Sequence, residues 1–324
     1  MVASPTIATV TLNPAIDVRY TLSQFQMGGV NRVSSIEKSA GGKGLNVTRV
    51  LSRLGQKATC TGFLGGKSGE WIESELSHLK VHTSFVPIKG ETRTCLAILS
   101  KEGQTEILET GPFIPSNELE IFDRTFSSIL DTVDFVVVSG SLPEGVPTGF
   151  YSELSKKANQ KGVRLLLDTS GPALAEGIAG KPFLIKPNKE EFARLVGKTF
   201  DSTDDMLRHA QAICHKGIHY VLLSLGEEGA ILVSEKRVLR AKVPNVKAVN
   251  PVGSGDSMLA GFTYAYSHGF PIEEVFKWAC ACGMSNAIME KTGEVNLLDI
   301  RRFVKEIDVV ERIGGMENES YRLF

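Results

Sequence analysis

The sequence predicts an α/β fold built on a doubly wound, mostly parallel sheet flanked by helices. Short apolar runs of the kind found in buried parallel strands recur through the second half of the chain. They are Phe135–Val138, Arg164–Leu167, Phe183–Ile185 and Tyr220–Leu223. Helical stretches separate these runs, at about 148–161, 189–196, 203–216 and 257–268. Such alternation favours right-handed crossovers between parallel strands.

The N-terminal third opens the same way but contains two segments of another kind. A β-rich run at 6–12 predicts the first strand, and apolar residues at helical spacing predict a helix within 40–54. Segments 18–39 and 84–108 instead alternate between polar and apolar residues and carry glycines at turn-like positions. This alternation predicts exposed strands outside the core.

Composition narrows the function classes. The chain has 324 residues, 36 Lys and Arg against 37 Asp and Glu, and a net charge of −1. The absence of a basic stripe argues against nucleic acid or an anionic membrane as a partner. Five scattered cysteines indicate free thiols in a reducing compartment. With no signal-like or spanning segment in the sequence, a cytoplasmic location is expected.

The most informative stretch is Asn250-Pro251-Val252-Gly253-Ser254-Gly255-Asp256-Ser257, which leads into an apolar helix. A glycine turn at a helix N-terminus presents unpaired N–H groups that suit an anion. Asp256 would then be a carboxylate held beside an anion site, a position that favours a proton acceptor. Ordinary helix capping explains the same residues, and the segment alone leaves both interpretations open.

A second glycine-rich stretch, Ala40-Gly41-Gly42-Lys43-Gly44-Leu45-Asn46, precedes the first helix. Three glycines in four residues favour close approach of a ligand to the backbone over a merely flexible loop. Asp17 either caps a turn or accepts hydrogen bonds from sugar hydroxyls. Arg93, between two threonines, has the pattern of an ordinary exposed strand residue.

Polar motifs follow four of the predicted strands, where ligands of such sheets bind. These motifs contain Ser141, Asp168, Lys186 and Ser224. After Lys186, the sequence Pro187-Asn188-Lys189-Glu190-Glu191 is explained by helix capping or by phosphate and magnesium binding. The segment Ser224–Ala230, with Gly226 and Gly229, predicts a tight hairpin that could line a nucleotide pocket. Neither a Walker A motif nor a G-x-G-x-x-G fingerprint is present, which disfavours a nicotinamide-dependent oxidoreductase.

Together, the early glycine stretch and the late Asn250–Gly261 stretch resemble the two signatures of the ribokinase-like carbohydrate kinases, the PfkB family. The resemblance extends to about Phe303. It is strongest to the branch of tagatose-6-phosphate kinases and 1-phosphofructokinases, which share the motifs beginning at Thr11, Gly140, Asp168 and Asn250. It implies a single kinase domain over 1–313, a β-sheet lid formed by segments 18–39 and 84–108, and a tail at 314–324.

The resemblance also implies roles for individual residues. Asp256 would be the catalytic base, and Gly253, Ser254 and Gly255 would form the anion hole. The sugar phosphate would be held by Asp17, Gly41, Gly42, Lys43, Asn46, Arg93 and Ser141. ATP would be held by Lys186, Asn188, Ser224, Gly226 and Gly229, and Glu191 would organise Mg²⁺.

The expected reaction is ATP-dependent phosphorylation of tagatose 6-phosphate, with fructose 1-phosphate as a nearly equal alternative. A free-sugar or nucleoside kinase is a further alternative, and a non-catalytic sugar-phosphate sensor is the rival from another class. The resemblance implies a homodimer formed through the lid.

Overall fold

The computed structural model describes residues 5–200 and 202–312. The predicted tail at 314–324 and the first residues of the predicted domain lie outside the described part. An 11-stranded main sheet and a separate 4-stranded sheet make up the β-structure of the described chain. No helix in these residues is long and apolar enough to cross a membrane.

The main sheet is parallel over most of its width. Its parallel strands are β1 (Ile7–Thr11), β4 (Ala58–Gly65), β5 (Val81–Thr83), β6 (Val86–Ile88), β9 (Phe135–Ser139), β10 (Arg164–Asp168), β11 (Leu184–Ile185) and β12 (Tyr220–Ser224). Antiparallel strands extend one side: β13 (Ala230–Val233), β14 (Val238–Lys242) and β15 (Asp308–Arg312). The strand order is β15-β14-β13-β12-β11-β10-β9-β1-β4-β5, with β6 also on β4.

Helices cover both faces of this sheet, as the doubly wound prediction requires. They are α1 (Lys43–Arg53), α2 (Gly66–Ser77), α3 (Ser116–Leu130), α4 (Phe150–Gln160), α5 (Gly171–Gly177), α6 (Lys189–Val196), α7 (Thr203–His215), α8 (Ser254–Ser267), α9 (Ile272–Ala287) and α10 (Leu297–Glu306). Alternate residues of β9 enter different cores, Val136 and Val138 on one face and Val137 on the other. The predicted fold class is confirmed.

The separate sheet is built from β2 (Ala15–Thr21), β3 (Ser35–Gly41), β7 (Arg93–Ser100) and β8 (Gly103–Leu108), in the order β3-β2-β7-β8. Segment 84–108 therefore divides between two sheets, contrary to its expected place in one lid. Its first part forms β6, which pairs in parallel with β4 of the main sheet. Only the part from Arg93 onward joins the small sheet. The side chains of Val86 and Ile88 are buried in the core, and this burial keeps β6 on the main sheet.

Candidate active site

A cavity of about 900 Å³ lies between the carboxyl edge of the main sheet and the small sheet. Residues at the carboxyl ends of β1, β9, β10, β11 and β12 line it, as expected for an open α/β sheet. Most of the predicted site residues share this lining: Asp17, Gly42, Lys43, Asn46, Arg93, Ser141, Lys186, Asn188, Glu191, Ser224, Gly253, Gly255 and Asp256. Four predicted residues are not part of that lining, namely Gly41, Ser254, Gly226 and Gly229.

The late glycine turn begins α8, and Gly253 is its N-cap residue, with φ of 82°. A side chain at this position would be strained, and its Cβ would lie 2.7 Å from Cγ2 of Thr292. The N–H of Ser254 bonds to the carbonyl of Pro251, and that of Ser257 bonds back to Gly253. Between them, the N–H groups of Gly255 and Asp256 have no acceptor among the described residues. These donors point from a helix N-terminus and suit an anion.

Asp256 lies in the first turn of α8 and is only 5% exposed. The side-chain amide of Asn46 donates a hydrogen bond of 2.8 Å to its Oδ2 atom. Burial, together with the negative charge of Asp168, raises the pKa of Asp256 to about 7, although Lys43, Asn46 and Lys186 act in the opposite direction. A carboxylate with such a pKa can accept a proton near neutral pH.

Asp168, at the end of β10, is the fixed charge of the site, because its side chain is fully buried between two ammonium groups. Lys43 lies 3.3 Å from Oδ1, and Lys186 lies 3.2 Å from Oδ2. Burial opposes ionisation of Asp168, but the two lysines outweigh it and hold its pKa below the ordinary value. Asp168 in turn raises the pKa of Lys43 above its ordinary value. The motif at the end of β10 was noted in the sequence, but this pairing role was missed.

The small sheet brings Asp17 and Arg93 to the other side of the cavity. Burial raises the pKa of Asp17 to about 6, against the lowering effect of Arg49 and Arg93. In the described chain its carboxylate makes no hydrogen bond, so its acceptor oxygens remain available. A Cβ at Gly41 would lie 2.1 Å from that carboxyl group, which explains the glycine.

Arg93 donates to two backbone carbonyls, those of Glu109 at 2.8 Å and Asn13 at 3.0 Å. Its Nε–H is buried and has no partner in the described residues. Ser141 accepts a 3.3 Å hydrogen bond from the amide of Asn13, next to this guanidinium. The two hydrogen bonds to backbone carbonyls fix Arg93 at the cavity wall.

On the opposite side, Lys186 is buried, and its Nζ atom lies only 2.8 Å from the position of a Cβ added to Gly255. Asn188 and Glu191 form a capping box, as the helix-capping interpretation predicts. The backbone N–H of Glu191 donates to Asn188 Oδ1, and the backbone N–H of Asn188 donates to Glu191 Oε2. The second carboxylate oxygen of Glu191, Oε1, lies 3.8 Å from the Lys43 ammonium. Capping uses one oxygen and leaves the other at the cavity.

The predicted hairpin is present, since β12 and β13 pair antiparallel across Ser224 and Ala230. Gly226 and Gly229 have φ values of 62° and 89°, which a side chain would disfavour. Both lie in the turn itself, while Ser224 lines the cavity.

Arg49 was not predicted from the sequence. It donates to the carbonyls of Ala40 at 2.5 Å and Thr292 at 3.0 Å, and to Oδ1 of Asn46 at 2.9 Å. Burial lowers its pKa, against the opposing effect of Asp17. In the sequence Arg49 is an ordinary arginine of the predicted helix. Its position before the apolar residues Val50 and Leu51 is the one sign of a buried environment.

A buried carboxylate beside unpaired helix N–H groups, in a cleft at the strand ends, is an arrangement that suits phosphoryl transfer in an α/β enzyme. The family model described as "pfkB family carbohydrate kinase" matches residues 10–297. The chain belongs to this family and is an ATP-dependent carbohydrate kinase, as its resemblance implied.

Named relatives agree with this assignment. The chain is 42% identical over 310 residues to a tagatose-6-phosphate kinase of Staphylococcus epidermidis, covering 94% of this chain and 99% of the relative. The solved structure of Escherichia coli phosphofructokinase-2 with fructose-6-phosphate is similar, with a TM-score of 0.85 and 28% identity over 93% of this chain and 99% of that one. A Thermotoga maritima structure described as a possible 1-phosphofructokinase has a TM-score of 0.86 and 28% identity, covering 95% and 99% of the two chains.

Proposed function

We propose that this kinase phosphorylates a ketohexose phosphate at its free primary hydroxyl, with tagatose 6-phosphate as the preferred acceptor and tagatose 1,6-bisphosphate as the product. The observation that carries the proposal is the position of Asp256, buried in the first turn of α8 beside free N–H groups and facing the cavity. The substrate follows from the 42% identity to the tagatose-6-phosphate kinase of S. epidermidis.

In the proposed mechanism, Asp256 accepts the proton of the acceptor hydroxyl as its oxygen bonds to the γ-phosphorus of ATP. The bond from that phosphorus to the bridging oxygen of ADP breaks, and ADP leaves. Negative charge on the moving phosphoryl group is stabilised by the turn at Gly253, Ser254 and Gly255 and by the Lys186 ammonium. In this turn the N–H groups left unpaired by the described residues are those of Gly255 and Asp256. Positioning and charge neutralisation, more than covalent chemistry, supply the rate.

The acceptor is oriented from the small-sheet side. Asp17 accepts hydrogen bonds from sugar hydroxyls, a role supported by its unpaired oxygens. Gly41 and Gly42 allow the sugar to approach the backbone. Arg93, which lines the cavity, binds the phosphate already on the sugar through its guanidinium.

Ser141 lies beside that phosphate position. Asn46 and Lys43 contribute less directly than their motif implied, because Asn46 contacts the base and Lys43 contacts Asp168.

ATP is held on the other side by Lys186 and Ser224, with Asn188, Gly226 and Gly229 shaping the loops around it. Glu191 offers Oε1 to a hydrated Mg²⁺, and a single carboxylate with substrate phosphates is the donor set that Mg²⁺ usually takes. Bound Mg²⁺ would neutralise phosphate charge. Glu191 would hold the ion, and the N–H of Asn188, which donates to Oε2, keeps the Glu191 carboxylate oriented.

The main alternative is fructose 1-phosphate, phosphorylated at its 6-hydroxyl to fructose 1,6-bisphosphate. The T. maritima relative favours it, and the E. coli relative makes fructose 6-phosphate a third acceptor to test. A free-sugar or nucleoside kinase would lack a use for Arg93. A non-catalytic sensor would have no need of Asp256.

We also propose that the chain forms a homodimer through the small sheet. Strand register places Ile36 beside Tyr20 and Ile107 beside Leu96, on the face opposite Asp17. Ile36 and Ile107 are each 55% exposed, which leaves apolar surface for a second copy. A cytoplasmic location stays a prediction.

The deciding experiment measures ADP release with MgATP and a panel of acceptors: tagatose 6-phosphate, fructose 1-phosphate, fructose 6-phosphate, the free ketohexoses and a nucleoside. We expect the highest kcat/KM with tagatose 6-phosphate. A higher value with fructose 1-phosphate would move the assignment to the alternative. No turnover of any phosphorylated ketose would refute the proposal.

A further inference from the structure

Arg49 contacts three separate segments around the proposed base without reaching the base itself. Its guanidinium bonds the end of β3 through Ala40, the loop before α10 through Thr292, and the side chain of Asn46 one turn earlier in α1. Such a fork of donors can fix the relative positions of all three. An arginine that served only for solubility would leave its N–H groups to water and would not make three hydrogen bonds to the protein.

The contact with Asn46 decides the orientation of an amide. An asparagine side chain can present either oxygen or NH₂ to a neighbour, and the hydrogen-bond network selects between them. Because Arg49 donates to Oδ1 of Asn46, the NH₂ group must face the other way, where it donates to Asp256 at 2.8 Å. An NH₂ group bonds only to an acceptor, so this orientation favours the ionised carboxylate that can take a proton.

The loop at Thr292 and Gly293 holds this arrangement from outside. A Cβ at Gly293 would lie 2.7 Å from Nη1 of Arg49 and 3.0 Å from Oδ1 of Asn46. The N–H of Gly293 donates to buried Asn286, whose amide in turn donates to Val252 and Ser254 in the glycine turn. Arg49 thus lies in one hydrogen-bonded chain with both the base and the anion-binding turn.

We propose that Arg49 is a positioning residue of this kinase, which fixes the amide of Asn46 so that it donates to Asp256. The inference rests on the proposed role of Asp256 as the base. The other charged groups near Asp256 are Lys43 on α1, Asp168 at the end of β10 and Lys186 after β11.

The charged neighbours of Arg49 itself are Asp17 on the small sheet, Glu294 in the loop before α10, Arg53 on its own helix, and Asp256. A substitution at Arg49 leaves these charged residues themselves unchanged. A shift in the pKa of Asp256 on substitution of Arg49 therefore has two causes, the lost contact with Asn46 and the lost positive charge. A variant that keeps the charge separates these two causes.

The test compares Arg49→Met, which removes the donors and the charge at similar length, with Arg49→Lys, which keeps the charge but not the fork. Arg53→Met is the matched control, since Arg53 is one turn further along α1 and pairs with Glu294 at 3.3 Å. The pH dependence of kcat is measured with saturating acceptor and MgATP. Circular dichroism establishes that each variant is folded.

In Arg49→Met we expect kcat at pH 7 to fall by about tenfold, and its acid limb to move up by about one pH unit, as loss of a charge-assisted hydrogen bond network to an ionised carboxylate implies. The KM for ATP should stay within about twofold, because no nucleotide-side residue is touched. Arg49→Lys should recover part of kcat, and Arg53→Met should keep the wild-type acid limb.

A second readout does not depend on the acceptor. The side-chain ¹⁵NH₂ resonance of Asn46 should shift as Asp256 titrates in the wild-type chain, and this shift should be lost in folded Arg49→Met. An unchanged resonance shift and acid limb in Arg49→Met would overturn the inference. Absence of wild-type turnover with every phosphorylated ketose would instead refute the proposed function, and the two failures are distinct.

Discussion

The two sheets contribute to the cavity in opposite ways. The main sheet is buried along β9, and the charged residues at its edge are tied to one another, as Asp168 is to Lys43 and Lys186. The small sheet has little core, β8 is exposed over its whole length, and its cavity-facing Asp17 makes no hydrogen bond within the described residues.

This difference separates two tasks. Groups that handle the phosphoryl transfer need preorganisation, which a packed sheet with fixed partners provides. Groups that recognise the sugar and exclude water must move aside for entry and exit, and loosely packed elements supply such motion. If the two sheets divide the work in this way, substitutions on the main-sheet side should lower kcat and substitutions on the small-sheet side should raise the KM for the sugar phosphate.

The largest effect is expected at the main sheet side, from Asp256→Asn. Loss of a general base typically costs about two to four powers of ten in rate, so kcat should fall by that factor. ATP affinity measured by calorimetry should change by less than about threefold, since the change is nearly isosteric. Turnover at the wild-type rate would exclude Asp256 as the base.

Arg93→Ala tests the small-sheet side. It should raise KM for the sugar phosphate by about ten- to a hundredfold, the cost of a charge-assisted hydrogen bond. KM for ATP should stay nearly constant. Arg19→Ala is the control in the neighbouring strand, because Arg19 pairs with Glu37 at 2.6 Å and has its own partner. Equal rises in both KM values would show that Arg93 is not at the acceptor's phosphate.

Ile107→Glu addresses the outer face of the small sheet. A buried carboxylate across a two-fold interface is repelled by its own copy, so we expect a monomer in light scattering. Leu298→Glu, 75% exposed on α10, is the matched control and should leave the oligomeric state unchanged. A dimer that persists in Ile107→Glu would place the contact elsewhere on the molecule.

The sequence was sufficient for the parallel strands, because runs such as Phe135–Val138 and Tyr220–Leu223 are apolar and bounded by turns. It was insufficient for β6, since Val86-Pro87-Ile88 alternates just as the small-sheet strands do. Only the pairing with β4 distinguishes this strand, and pairing partners are set by tertiary packing.

In the site, too, local features were predictable from the sequence and tertiary contacts were not. Glycine turns at strand ends and the acid of the late motif were predictable, because their local chemistry is distinctive. The contacts of Asn46 with Asp256 and of Lys43 with Asp168 join residues 210 and 125 positions apart. No local pattern predicts them. Arg49 was missed for this reason, since its role depends on Thr292, which is 243 residues away.

A smaller effect concerns the pH dependence of stability in the ligand-free protein. The pKa of Asp256 is raised from 3.8 to about 7, so the folded chain keeps a proton that the unfolded chain releases between these values. Stability should therefore fall as pH rises from about 4 to 7, since folding then imposes a charge on a buried site. Asp256→Asn removes this dependence and should raise Tm at pH 8 by about 2 °C or more relative to wild type.

The same measurement on Asp17→Asn sharpens the contrast between the sheets. The pKa of Asp17 is raised from 3.8 to about 6, so the stability contributed by its protonated form should be lost as pH rises from about 4 to 6. If the small sheet opens locally before the whole domain unfolds, Asp17 is already hydrated at the transition and its substitution should move Tm less than Asp256→Asn does. Exposed Asp131, paired with Lys161, supplies the control, because an exposed ion pair contributes little to stability and Asp131→Asn should move Tm only slightly. An equal or larger effect from Asp17→Asn would show that the small sheet unfolds together with the main sheet.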